Sequence, residues 1–189
     1  MSQAKTLTKE TEEKLNHFFN YLKYFSDKCT TLSSISHLHY GGRYGLCDFF
    51  NWCAQDLNKM DEKVVDYIKQ RNGQVNLIDL IASKFDVETE KKVDLHSLTP
   101  YELVDYLHKE DTRYNDLLND FIRFADKQKD EELKQFFASY KDELTNWNKK
   151  IDDSLITIRK STTSSKLTED DLHNVFQNQF DKIRNFREI

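Results

Sequence analysis

Residues 53–80 read CAQDLNKMDEKVVDYIKQRNGQVNLIDL. The first part has the pattern of a helix, with Cys53, Leu57, Met60, Val64 and Tyr67 recurring at spacings of three and four along one stripe. Asn72-Gly73 is a stop signal for that helix. Beyond it, QVNLIDLI alternates in the manner of a strand, and no helical pattern resumes before Thr99. A connection this long between two helices is uncommon. It lets the next helix start at the opposite end of a bundle from where the last one stopped, so this stretch decides the topology.

Working outward, the stripe runs back through Phe50 to Leu46 and predicts a helix over about 44–72. Upstream, Thr8 is an N-cap with Glu10, Glu12 and Glu13 behind it, and Leu15, Phe18, Leu22, Phe25, Cys29 and Leu32 form the stripe of a helix over about 8–36. HLHYGGRYG, with three of the four glycines, reads as the loop between these two. Downstream, Thr99-Pro100-Tyr101-Glu102 combines an N-cap, a proline at the first helical position and the glutamate of a capping box. A helix over about 100–127 follows, with Val104, Leu107, Glu110, Tyr114, Leu117, Phe121 and Phe124 as its stripe. DKQKDEE is a short turn into an antiparallel helix over about 130–160, striped by Leu133, Phe136, Tyr140, Leu144, Trp147, Ile151, Leu155 and Ile158. STTSSK, 161–166, is a polar linker, and Thr168 caps a shorter fifth helix within 167–187.

Composition agrees with a single all-α domain over 1–189. Four Gly and one Pro suit long helices and exclude a turn-rich β fold, while 13 Phe, 9 Tyr and 2 Trp supply one core. A net charge of -5 with 32% charged residues gives no reason to expect nucleic acid. No stretch approaches the roughly 20 apolar residues of a membrane span. MSQAKTLTKE lacks the apolar region of a signal peptide, so a cytoplasmic location is expected, or a secretory or extracellular one if a leader has been removed. Cys29, Cys47 and Cys53, odd in number and at helical spacing, read as small core residues rather than a disulfide framework.

Two hairpins of helices joined by one long crossover, with a small fifth helix, is the ferritin-like plan. The residues agree with it. QRNGQVNLIDL resembles the ferritin signature in which Gln-Arg-Gly-Gly leads into an alternating run and an Asp. YLHKEDTRYNDLLNDFIRFADKQKDEELKQFF resembles the third ferritin helix, its turn and the start of the fourth, and KKIDDSLITIRKS resembles the fourth helix's end. The similarity extends over Leu15 to Lys160. It implies a subunit of a twenty-four-subunit shell, with GQVNLIDL suited to pairing with its own copy across a twofold axis. The loop GGRYGL resembles that of secreted arthropod ferritin subunits.

Catalytic ferritin subunits oxidise Fe(II) at a site inside the bundle, where carboxylates and an imidazole converge on hard cations. The resemblance places Leu57 and Met60 where that site has the Glu and His of a Glu-x-x-His pair. Leu22 falls at the glutamate of the first helix and Thr145 at the glutamine of the fourth; Glu110 keeps the glutamate of the third. No Glu-x-x-His occurs anywhere. Asp105/His108 and Asp170/His173 read as solvated or capping groups, and His37 and His39 in the HLHY loop have no carboxylate beside them. Glu110 is expected either as a structural relic, bonded to Tyr114, Tyr140 or a bundle water, or as a residual metal contact. The cavity-side places that carry mineral-nucleating glutamates in silent subunits read Trp52, Gln55, Asp56 and Lys59, leaving Asp56 as a mineral contact or as one charge on a solvated face. The threefold-channel places read Gln135 and Ala138, with Asp130, Glu131 and Glu132 close by.

The resemblance therefore implies a ferroxidase-inactive, light-chain-like subunit. It would bind no cofactor at a ferroxidase site and assemble with itself and with a catalytic heavy-type chain around a ferric mineral. The alternative is a ferritin-derived structural or protective oligomer that no longer handles iron. An enzyme with a different metal site is disfavoured by the missing ligands.

Overall fold

The structure, a computed structural model, describes residues 6–40, 45–77, 93–163, 174, 177 and 178. Four long helices occur in the expected order: α1 Lys9–Tyr40, α2 Leu46–Gln70, α3 Pro100–Lys127 and α4 Glu131–Thr163. A single 3₁₀ turn, Leu95–Ser97, precedes α3. The described residues include no strand and no helix long and apolar enough to cross a membrane. The expected fifth helix lies almost wholly outside the described residues, of which Asn174, Gln177 and Asn178 are helical. One expectation fails at the end of α1. The helix continues past Ser36 to Tyr40, so His37 and His39 stand in its last turn rather than in a loop. Nothing between Ser36 and Gly41 breaks a helix, and basic groups in the last turn suit its negative end.

Two compact units divide the chain, one of Met1–Thr31 with Phe50–Asp94 and one of Leu32–Phe49 with Leu95–Ile189. In the first, Thr8 caps α1 by accepting from the Thr11 N–H at 3.2 Å. Leu15, Phe18, Leu22, Phe25 and Cys29 of α1 are buried, as are Phe50, Cys53, Leu57, Met60, Val64 and Tyr67 of α2. The two helices run antiparallel: Ser26 reaches Ala54 O at 3.1 Å, Lys23 reaches Asp61, and Asn16 reaches Gln74 O at 2.9 Å.

The stop after α2 is built as the sequence suggests. Asn72 takes a left-handed backbone, φ 58°, and the Gly73 N–H closes back on Ile68 O at 2.9 Å. A Cβ on Gly73 would stand 2.6 Å from Leu7 Cδ1 and 2.8 Å from Ile68 Cγ2, so any larger residue here requires both side chains to shift. Arg71 is buried; its Nη1 donates to the Tyr67 hydroxyl at 2.5 Å, and its carbonyl accepts from the Leu7 N–H at 3.3 Å.

Among the described residues, the strand-like start of the crossover is held by side chains of α1. Asn16 Nδ2 donates to Gln74 O at 2.9 Å and Asn16 Oδ1 accepts from the Asn76 N–H at 2.6 Å. One helical turn on, Asn20 Nδ2 donates to Asn76 O at 2.9 Å. Spacing of four on a helix thus matches spacing of two on an extended chain. Both asparagines are buried, so these bonds satisfy groups that water cannot reach freely.

In the second unit the predicted capping box is complete: Glu102 N–H donates to Thr99 Oγ1 at 3.3 Å and Thr99 N–H to Glu102 Oε2 at 2.8 Å. Helices α3 and α4 run antiparallel, with Phe121 stacked on Phe137 at 5.0 Å and Lys134 paired with Asp126 at 2.7 Å across the turn. Val104, Leu107, Glu110, Tyr114 and Phe121 of α3 and Leu133, Tyr140 and Leu144 of α4 are buried as expected, and the buried face departs from the expected residues at three places. Leu118, Ala125 and Phe137 are buried, whereas Leu117, Phe124 and Phe136 are half-exposed. The sequence has apolar residues at both phases, and only packing chooses between them. The side chains of Trp147, Ile151, Leu155 and Ile158 lie outside the described residues.

Candidate functional site

On the first unit, the places that the resemblance aligns with the family's ligands are apolar and closed. Leu22 is 0% exposed, Leu57 3% and Met60 5%. Leucine has no donor atom, and the thioether of Met60 is a soft ligand unsuited to hard cations. One residue further along each helix stands a charged pair that the apolar stripes do not announce. Lys23 Nζ lies 2.5 Å from Asp61 Oδ2, with the Asp61 side chain 4% exposed and that of Lys23 34%. The approach is an ion contact rather than a well-aligned hydrogen bond. Burial pushes the Asp61 carboxyl above its ordinary range, and the attraction of Lys23 only partly opposes this. The signal was present in the spacing: Asp61 follows Leu57 by four residues and Lys23 follows Phe19 by four, which places both on the edge of the apolar face. The Lys23 ammonium also stands 6.0 Å from the Phe19 ring centroid.

On the second unit Glu110 is buried, 2% exposed, as its place on the α3 stripe predicted. Its Oε1 accepts from Arg113 Nη1 at 2.9 Å, a partner that the apolar stripe did not suggest. The two residues are three apart on one helix, a spacing that the sequence displayed. Tyr114 and Tyr140 are buried as well, and Tyr140 packs edge-on against Phe136 at 5.1 Å. Thr145 does not behave as an interior residue. It is exposed, and its hydroxyl donates to Lys141 O at 2.8 Å within its own helix.

The remaining candidates separate. Asp105 pairs with Lys109 at 2.9 Å, while His108 turns to Asp152 of α4 at 3.2 Å, so the Asp105/His108 pair is split between two partners. Asp170 and His173 lie outside the described residues. On the expected cavity side, Gln55 and Lys59 are exposed and Trp52 and Asp56 half-buried. Gln135 is exposed and Ala138 half-buried; Asp130 caps α4 by accepting from the Leu133 N–H at 3.0 Å. Of the HLHY histidines, His39 has a partner that no sequence motif indicated: its Nε2 stands 2.8 Å from His96 Nδ1. Cys29 and Cys53 are buried, and Cys47 is half-buried with its carbonyl accepting from Ser33 at 2.9 Å. Among the described residues, no three His, Cys, Asp or Glu side chains converge as a metal-holding group.

A family model described as Ferritin, a ferritin-like domain, matches residues 12–161. No curated protein matches the chain.

Proposed function

This chain belongs to the ferritin family, whose members build oligomeric cages, and on that premise we propose that it is a non-catalytic subunit of an iron-storage shell. In this reading it assembles with its own copies and with a ferroxidase-competent chain, contributing wall and stability while the partner oxidises iron. The observation that carries the reading is the burial of Leu22, Leu57 and Met60 at the places where the family holds its iron ligands. Iron, as substrate, needs several hard oxygen donors and an imidazole, and these three side chains offer none.

The one retained carboxylate supports the same reading. Glu110 already faces a fixed positive charge, the Arg113 guanidinium at 2.9 Å. A cation entering there would have to displace that contact and meet Coulomb repulsion from the arginine. The test is stopped-flow measurement of Fe(II) oxidation by the purified full-length chain. The expected rate equals that of a protein-free control; saturable, stoichiometric oxygen consumption would refute the proposal. Native mass spectrometry of the particle from its source, with metal analysis, tests the co-assembly, which a catalytic ferritin subunit in the same particle supports.

A second reading, a ferritin-derived oligomer that no longer handles iron, is favoured by the exposed Gln55 and Lys59 at expected cavity places and by Gln135 at an expected channel place. A homo-oligomer that remains iron-free after Fe(II) loading in air would select this second reading. One that accumulates mineral would return the argument to storage, with Asp56 and Glu110 as the first residues to test for iron contact.

A further inference from the structure

The end of α1 and the turn before α3 bring together two imidazoles 57 positions apart in sequence. We propose that His39 and His96 form a binding site for a divalent transition-metal ion of the imidazole-preferring class, Zn²⁺ or Cu²⁺, separate from any place where the family oxidises iron.

The two imidazole nitrogens face each other head-on as donor and acceptor of one hydrogen bond, which brings two nitrogen ligands to one place. His39 Nε2 and His96 Nδ1 stand 2.8 Å apart, with ring centroids 5.1 Å apart and planes inclined at 67°. Metal–imidazole bonds run about 2.0–2.1 Å, so two such bonds to one ion hold their nitrogens about 3 Å apart. The rings therefore need to part by a few tenths of an ångström and each to swing by about 35–45°, so that both lone pairs converge on the ion. At present one ring nitrogen donates to the other. For an ion to bind, the donor ring adopts its other tautomer, its proton passing through solvent to the nitrogen that faces away. Both inward nitrogens then present lone pairs, and two neutral rings release no net proton. Imidazole suits zinc and copper, and Cu²⁺ stands highest in the affinity order of the first-row divalent ions.

The backbone around the pair is held independently of any ion, so the two residues stay side by side and only their rings need to turn. Tyr40, beside His39, donates its hydroxyl to Leu98 O at 2.6 Å. Thr99, three residues after His96, anchors the capping box that opens α3. Both histidines are exposed, which leaves room for water to complete the coordination shell. His37 lies two residues before His39 on the same helix, a spacing that turns it to another face, so it serves as an internal control. An ion at this place would clip the end of α1 to the start of α3, and binding to the folded state would raise thermal stability.

The test is titration of the full-length chain, in its assembled form, with Zn²⁺ by calorimetry and with Cu²⁺ by electron paramagnetic resonance. Wild type is expected to bind one ion per chain at this site, with hyperfine structure from two nitrogens and a rise in Tm on adding Zn²⁺. His39→Ala and His96→Ala should each weaken binding at least about tenfold, equivalent to about 1.4 kcal/mol. His37→Ala should leave it unchanged. His96→Gln keeps a hydrogen-bonding group with little affinity for the ion, so loss of binding in a variant that melts like the parent excludes simple misfolding. Absence of saturable binding in wild type, or binding by His39→Ala and His96→Ala as tight as that of wild type, would overturn the proposal.

Discussion

The pairing of α1 with α2 and the pairing of α3 with α4 are held together by different chemistry. The first buries polar groups along its length: Asn16 and Asn20 grip the crossover, Ser26 reaches the α2 backbone, Asp61 faces Lys23, and Arg71 closes the helix end. The second relies on stacked aromatics, Phe121 on Phe137 and Phe136 against Tyr140, with ion pairs such as Lys134–Asp126 kept on the surface. Its one buried charge in the described part is Glu110, matched within the same helix by Arg113. A buried hydrogen bond or ion pair costs desolvation and is worth keeping when it fixes one arrangement against others. The α1–α2 pair has such a task, because Asn16 and Asn20 fix the register of the extended segment that follows α2. The α3–α4 turn is short and needs no such help.

The comparison breaks most sharply at Leu57 and Met60. If this part of the α1–α2 pair is packed core, Leu57→Glu with Met60→His should destabilise the chain by about 4 kcal/mol or more in metal-free buffer, from lost packing and buried polar groups. Denaturant unfolding with and without Zn²⁺ or Fe(II) measures this. The variant should also fail to oxidise Fe(II), since Leu22 still occupies the acid's place. A variant as stable as its parent would mean that these side chains are not packed as their burial indicates.

The Lys23–Asp61 contact should be asymmetric. Lys23→Met leaves a carboxylate buried without its cation and is expected to cost about 3 kcal/mol near neutral pH. Asp61→Leu leaves an ammonium that is already partly exposed and can turn to water, costing about 1 kcal/mol. The double variant should be close to wild type, because an apolar pair of similar volume replaces the ion pair. The pH dependence follows from the upward shift at Asp61. A carboxyl whose folded pKa exceeds its unfolded value binds more protons when folded, so its contribution to stability is greatest below the ordinary value of 3.8 and falls as pH rises through the folded value. Removing Lys23 raises that folded value further. The penalty of Lys23→Met, taken against wild type at each pH, should therefore shrink on acidification from pH 7 toward about pH 4. A constant penalty would mean that Asp61 keeps its charge by other means.

What the sequence disclosed follows the range of each interaction. The start of α3 was readable to the residue because Thr99, Pro100 and Glu102 act on one another within one turn. The stop at Asn72-Gly73 was readable for the same reason. Contacts between distant segments were not. Nothing in Asn16 or Asn20 announces that they hold residues 56 to 60 positions away, and the alternation at Val75 and Leu77 mimics a strand because an extended chain has the same period whatever it pairs with. His96 is silent for the same reason. At Leu117 and Leu118 two adjacent apolar residues offered two phases, and tertiary packing chose the second. The expected site residues were read through family spacing, which held for burial at Leu22, Leu57, Met60 and Glu110 but not at the exposed Thr145.

The asparagine ladder gives a smaller test on the α1–α2 side. Asn20→Ala removes the donor to Asn76 O and should cost about 1–2 kcal/mol, with a small cavity adding to the lost bond. Hydrogen exchange should accelerate at Asn76 and its neighbours before it does in the helices. Loss of stability with unchanged exchange there would separate the asparagine from the register of the crossover.

The smallest expected effect sets the two helix stops against each other. Asn72 after α2 and Lys129 after α3 both adopt left-handed backbone, φ 58° and φ 52°, and both are followed by an N–H that reaches back five residues, Gly73 to Ile68 O and Asp130 to Ala125 O. The motif is the same and the residues are not. Asparagine tolerates this conformation, whereas lysine meets the Cβ clash that ordinarily excludes it. Glycine removes the clash at either place but adds freedom to the unfolded chain, and the two effects oppose each other. Lys129→Gly should therefore stabilise by about 0.5–1 kcal/mol, while Asn72→Gly should change stability by only a few tenths. Lys129 is exposed and Lys134 supplies the cation that pairs with Asp126, so no other contact of the turn depends on the Lys129 side chain. Thermal unfolding of the two single variants measures the difference directly. A larger gain at Asn72 than at Lys129 would show that the crossover stop carries strain beyond its backbone angle, and the α1–α2 end would then be the less settled of the two.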